Sequence, residues 1–248
     1  MADAPLRSLR DHEVVDALLK DNPEARAAVL HSLAEPIQGV VRACLQAYRA
    51  IDALNTRYPG GDERFDNIRL FMHAAFNNVL SSTNLIVAGF PLPSGHLMRH
   101  TAECLAMALL IADAQSGVLE RFLRERTKYP VQDAVALLRR PKRWRRVVAI
   151  LGLADEGANL LVDLAKFYSG FSHSGAFALG YHFVFAVEGG LVLGAEFDPD
   201  KVDQIAIELR TRQTAFEEIE VLALRIGRLL APPPSVGTST ISPLPIDH

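Results

Sequence analysis

Apolar residues recur along most of the chain at steps of three and four, the spacing of one face of an α-helix. This pattern predicts a short helix over 10–20 and a helical segment from Pro23 to about Tyr58, broken near Pro36. Asp21 or Asn22 followed by Pro23 has the form of an N-cap with proline at the first helical position. The turn YPGGD at 58–62 leads into a third helix from about Asp62 to Ala88, which GFPLP at 89–93 ends. A fourth helix, capped by Ser94, is expected to reach about Ala114. Shorter helices follow around 117–128, 130–139 and 141–153, and a longer one over 155–170. Asp198-Pro199 opens a last long helix that continues to about Leu230.

One region breaks the helical pattern. YHFVFAV and LVLGAEF, rich in valine and phenylalanine, flank Glu188-Gly189-Gly190 and predict a β-hairpin near residues 181–197. An isolated hairpin is marginal in water, so it must pack on the helices or extend a sheet with a second subunit. A homodimer is therefore expected. The apolar run over 177–197 is long enough to suggest a membrane span, but four glycines, two glutamates and a histidine interrupt it, and no membrane association is expected. The proline-rich stretch over 231–248 has no periodicity and reads as an arm or a disordered end. The fold class is thus mainly α: a multi-helix bundle in one domain over 1–230, with one inserted β-hairpin.

Three helices carry narrow polar lines. On the third, His73, Asn77, Ser81 and Asn84 fall at steps of four, four and three. On the fourth, His96, His100 and Glu103 align, with Arg99 four residues before Glu103. The helix over 155–170 aligns Asn159, Asp163, Lys166 and Gly170, then ends in FYSGFSHSG, where Tyr168, Ser172 and His173 lie. Helices so apolar elsewhere are expected to be buried, with their polar lines facing a shared pocket. In such a pocket His173 has the chemistry of a general base or acid, while Arg99 and Lys166 would hold an anion and Glu103 would orient Arg99. The structural alternatives are an Arg99–Glu103 pair along the helix surface and a loop hydrogen bond for His173.

His96-x3-His100-x2-Glu103 also has metal-ligand spacing, with His73 or His173 as a fourth ligand, although Arg99 beside it repels a cation. No cofactor is expected. Cys44 and Cys104 are the only cysteines, too few for a disulfide framework, and they suit a reducing cytoplasm. The start, MADAPLRSLRDHE, lacks the apolar core of a secretory signal, so a cytoplasmic location is expected.

KFYSGFSHSGAFAL resembles the end-of-helix segment of a group of uncharacterised bacterial helical proteins related to the HEPN superfamily. In that group an RxxxE stretch on one helix precedes a serine–histidine stretch after a later one. The corresponding elements here are Arg99 with Glu103, and Tyr168, Ser172 and His173. The resemblance covers roughly 94–180 and implies a helical bundle, often dimeric, sometimes with ribonuclease or abortive-infection roles. The HEPN ribonucleases resemble one another in an arginine followed, after four to six intervening residues, by histidine. This chain holds Lys166 there, a point charge without the bidentate fork of arginine.

Charge is unevenly distributed. Arg121 to Arg146 contains ten basic and two acidic residues, an excess of +8 in a chain of net charge -3. RRPKRWRR is the densest part, and Trp144, Val147, Val148 and Leu151 form its apolar stripe. Arg143, Arg145 and Arg146 are candidate contacts to RNA or nucleotide phosphates. The competing expectation is that this segment pairs with acids of the last helix, such as Asp203, Glu208 and Glu217, or with a second subunit.

Overall fold

The computed structural model describes residues 22–58, 60–125, 128–153, 156–172, 183–184, 190–191, 195 and 197–229. The helix expected over 10–20, His173 and the arm over 231–248 lie outside the described residues. The chain is mainly helical. It runs through α1 (Pro23–Ser32), α2 (Ala34–Arg57), α3 (Glu63–Val87), α4 (Pro91–Ala112), α5 (Val118–Glu125), α6 (Ala134–Leu138), α7 (Pro141–Leu151), α8 (Glu156–Ser172) and α9 (Val202–Leu229).

Local sequence explains most of the boundaries. Asn22 caps α1 by accepting from the Ala25 N–H, and Asp62 caps α3 by accepting from the Phe65 N–H. The break expected near Pro36 falls at Leu33 instead. Pro36 sits in the first turn of α2, where its missing N–H has no intrahelical partner to lose. Gly152, at φ +59°, ends α7 in the left-handed conformation that glycine adopts without a Cβ clash. Ser94 is not the cap of α4. That helix begins at Pro91, with Pro91 and Pro93 in its first turn, and Ser94 is completely buried inside it.

The β-hairpin expected over 181–197 needs correction. Of that span, the described strand residues are Phe183–Val184 paired antiparallel with Gly190–Leu191, two residues on each side.

α4 is the central element. Every residue from Thr101 to Ile111 is buried, as expected of a helix that is apolar around its whole circumference. It packs most closely on α3 and on α8, and also on α6, while α2 lies along α9. Phe76 of α3 and Phe216 of α9, with ring centroids 5.3 Å apart, join the two halves of the core. Truncating a fully buried side chain such as Leu109 to alanine is expected to cost about 2–5 kcal/mol, because it opens a cavity here. No described helix is long and apolar enough to cross a membrane.

Candidate functional site

The predicted polar lines do not converge. On α3, Asn77, Ser81 and Asn84 are exposed and His73 is half-buried. On α4, His96 and His100 are exposed, and on α8 so are Asp163 and Lys166. Apart from His73 and Glu103, the described members of these lines lie on the solvent sides of their helices. The shared pocket they were expected to form is replaced by a different set of inward-facing polar groups. Glu103 is buried apart from its contact with Arg99, whose Nε donates to Glu103 Oε1 at 3.1 Å along one helix.

No group of three His, Cys, Asp or Glu side chains among the described residues is placed to hold a metal, His96, His100 and Glu103 included. The Glu103 carboxylate is engaged by Arg99, and His100 Nδ1 faces the Asn78 amide nitrogen at 3.0 Å. The neighbouring Cys104 thiol is pushed up to about 12 by burial and by Glu103, which leaves it protonated and inert near neutral pH.

His73 has a defined role. Arg69 Nε can only donate, and it donates to Asn55 Oδ1 at 2.8 Å, which turns the Asn55 amide nitrogen toward His73 Nε2, also at 2.8 Å. His73 must accept there and so is neutral. Burial, then the Arg69 charge, lowers its pKa in agreement with that geometry.

The inward polar groups centre on Arg212. Its side chain is 0% exposed and its salt-bridge partner Glu208 is 1% exposed. Arg212 Nη1 donates to Glu208 Oε2 at 2.8 Å and to the Glu208 carbonyl at 2.6 Å. Nε donates to Ser82 Oγ at 3.0 Å, and Nη2 donates to Ser94 Oγ. The Tyr168 hydroxyl, raised in pKa by burial, donates to Glu208 Oε2 at 2.6 Å. One guanidinium thus ties α3, α4, α8 and α9 together. Tyr168 is the candidate residue that joins this network. Ser172 is the last residue of α8.

Sequence reading missed Arg212 and counted Glu208 only among surface acids. The signal was present: Ile205, Glu208, Leu209, Arg212, Phe216 and Ile219 follow the three-and-four step of a single helix face, and all six are buried.

The basic segment lies on α5 to α7. Trp144 and Val148 are half-buried while Val147 and Leu151 are buried, so the predicted apolar stripe anchors α7. Arg139, Arg140, Lys142 and Arg145 are exposed, and none of the four has an ion pair among the described residues. Arg143 and Arg146 are half-buried. Arg143 Nη1 approaches the Ser116 carbonyl at 3.4 Å, and Arg146 Nη2 binds Asp113 Oδ1 at 2.5 Å. The expected pairing with the last helix is not seen among the described residues. There Glu208 holds Arg212, Glu217 accepts from Gln213, and Asp198, just before the helix, pairs with Lys201.

Beside the ridge a cavity of about 480 Å³ opens between α3, the end of α4, α7 and α9. Its walls are apolar, with Phe65, Ile68, Ile150 and Ile226 among them. Asp62, Arg64, Asp113 and Arg146 are the charged residues of its lining. Asp113 is 2% exposed, and its Oδ2 has no hydrogen-bond partner among the described residues. A second, smaller cavity of about 260 Å³ lies between α4, α8 and α9.

The chain matches no protein-family model, no curated protein and no solved structure.

Proposed function

We propose that this protein is an RNA- or nucleotide-directed helical protein that engages phosphates through the basic ridge of α6 and α7. The single observation that carries the reading is the row Arg139, Arg140, Lys142 and Arg145. Four exposed cations within seven residues lack acidic partners among the described residues. Their mutual repulsion is relieved by a polyanion, whose condensed counterions are released on contact. Arg143, within the row, and Arg146, just after it, are held against Ser116 and Asp113.

This reading is one of binding. Arg99 is engaged by Glu103, and Lys166 is an exposed residue of α8, so the predicted catalytic set is not carried into the proposal. The resemblance to HEPN-related proteins remains compatible with a phosphate-binding helical protein but adds no residue to the ridge.

The test is fluorescence anisotropy with a labelled single-stranded RNA, across a series of salt concentrations. Replacing Arg139, Arg140, Lys142 and Arg145 together by serine is expected to weaken binding by at least about tenfold. If each cation meets one phosphate, it also flattens the logarithmic salt slope by roughly 3, at about 0.7 per lost contact. Absence of RNA binding by the unmodified protein, or binding indifferent to the four changes, removes the reading.

A second reading, a helical interaction protein that forms a homodimer, is favoured by one observation on α2. Val41, Leu45 and Tyr48 are 52%, 50% and 56% exposed, at steps of four and three that suit the seam of a second helix. Sedimentation of the protein beside Leu45→Glu tests it. A monomeric mass for both discards the dimer and leaves the ridge reading intact.

A further inference from the structure

We propose that the cavity between α3, α4, α7 and α9 binds a small zwitterion with an apolar body, of the class of apolar α-amino acids. The site shares the Arg146–Asp113 pair with the ridge but does not use the exposed row Arg139, Arg140, Lys142 and Arg145, and it survives if the phosphate reading fails.

The lining of the cavity includes two carboxylates, Asp62 and Asp113, and two guanidinium groups, Arg64 and Arg146, of which Arg64 also lies 3.6 Å from Glu120 Oε1. The lining thus offers charged groups of both signs, and a simple cation or a simple anion engages only one of them. A ligand with one charge of each sign matches both. Asp113 specifies the cationic end. Its Oδ1 accepts from Arg146 Nη2 at 2.5 Å and from the Gln115 N–H at 3.0 Å, whereas its buried Oδ2 lacks a donor. A carboxylate oxygen taken out of water without a partner carries a desolvation penalty that a bound donor removes.

The position of Asp113 strengthens the demand for a cation. It is the C-cap of α4, where the helix presents the negative end of its dipole. An ammonium group satisfies both the orphan oxygen and the helix end. Arg146, with a side chain 40% exposed, and Arg64, 28% exposed, present guanidinium groups for the carboxylate end. Arg64 is held in place by its hydrogen bond to the Ile111 carbonyl at 2.8 Å.

The apolar body has its own place. Phe65, Ile68 and Ile226 are buried and Ile150 is half-buried, so a branched or aromatic side chain would lie against an apolar wall. The volume of about 480 Å³ lies in the range of small-molecule sites and exceeds what one such amino acid fills. Larger apolar side chains are therefore preferred over small ones.

The experiment is calorimetric titration and thermal shift of the full chain with L-phenylalanine and L-leucine. Phenethylamine and 3-phenylpropionate, each lacking one charged end, serve as comparisons. Saturable binding of the amino acids is expected, with either one-ended compound weaker by at least about tenfold for the loss of a charge-assisted contact. Ala149→Phe places a ring in the cavity from an exposed position of α7 and is expected to abolish binding while the helical circular dichroism stays unchanged. Asp113→Asn is expected to weaken the amino acids toward the level of 3-phenylpropionate. If that variant does not fold, Ala149→Phe still decides. No saturable signal from either amino acid, equal affinity for the one-ended compounds, or unchanged binding in Ala149→Phe each overturns the proposal.

Discussion

Two arginine–carboxylate pairs in this molecule share the same chemistry and differ in their surroundings. Arg212 with Glu208 lies where four helices meet, both side chains essentially without exposure. Arg146 with Asp113 lies at a cavity edge, with the carboxylate 2% exposed and the guanidinium 40% exposed. Each carboxylate keeps one oxygen without a partner among the described residues, Glu208 Oε1 and Asp113 Oδ2. The difference lies in the cation. Arg212 directs its nitrogens to Ser82, Ser94 and Glu208 and cannot leave, whereas Arg146 has part of its guanidinium in solvent and can take a further acceptor. Enclosure turns a charge pair into a fastener; partial exposure leaves it able to bind.

The strongest way to break this comparison is to remove the enclosed cation. Arg212→Met leaves Glu208 as an uncompensated buried charge and removes a donor from the Ser82 and Ser94 hydroxyls. Urea denaturation should show a loss of about 3–5 kcal/mol. The double change Glu208→Leu with Arg212→Met replaces the pair by apolar groups and should recover most of that loss, because two desolvation penalties disappear together. A single variant as stable as the unmodified protein would mean that the network does not hold the helices together.

The half-exposed pair gives a smaller effect in the same measurement. Asp113→Asn keeps the shape and an acceptor for the Gln115 N–H but removes the charge that holds Arg146. About 1–2 kcal/mol is expected, because the freed guanidinium can return to water. A loss as large as that of Arg212→Met would erase the distinction between fastener and site.

Third in size is the turn that ends the helix of that pair. Gly152 has φ +59°, and a Cβ there meets Arg225 Nη1 at 3.3 Å, the far end of a flexible side chain. The backbone is therefore the main cost. Gly152→Ala should lose about 1–2 kcal/mol, the penalty of a left-handed conformation for a residue with a Cβ. Equal stability would show that α7 ends without the help of glycine.

The sequence makes the helices legible and the arrangement of their faces much less so. The Asp62 cap of α3 and the proline start of α7 depend on neighbours along the chain, and both are found where local rules place them. Periodicity states that His73, Asn77, Ser81 and Asn84 share a side of α3, but not that the side faces solvent. Few charges on α3 suggested inward polar lines, whereas exposed Leu70 and Leu80 show that its outer surface is simply poor in charge. Glu208 and Arg212 were readable as polar intruders in an apolar stripe, had the last helix been read by face and not by net charge. Asp113 and Arg146 are separated by 33 residues, and no spacing rule links them; the packing of α4 against α7 does.

His73 offers the finest test, since its polar contact is enclosed by neither device. Its pKa is lowered in the folded protein, first by burial and then by Arg69, so the folded state binds the proton less readily than the unfolded chain. Above the ordinary histidine value of about 6.5 both states are neutral, and the full stability is present. As the pH falls through that value the unfolded chain takes up a proton first, so stability declines until the folded value is passed. Protonation also turns His73 Nε2 into a donor facing the Asn55 amide nitrogen, while Arg69 keeps the amide from flipping. His73→Gln offers Asn55 a carbonyl acceptor that does not titrate. The stability difference between the two proteins should be constant above about pH 7 and should shift in favour of the variant below about pH 6. Because His73 is only half-buried, this effect is expected to be the smallest of the four. A difference independent of pH would mean that His73 is not held neutral by its contact with Asn55.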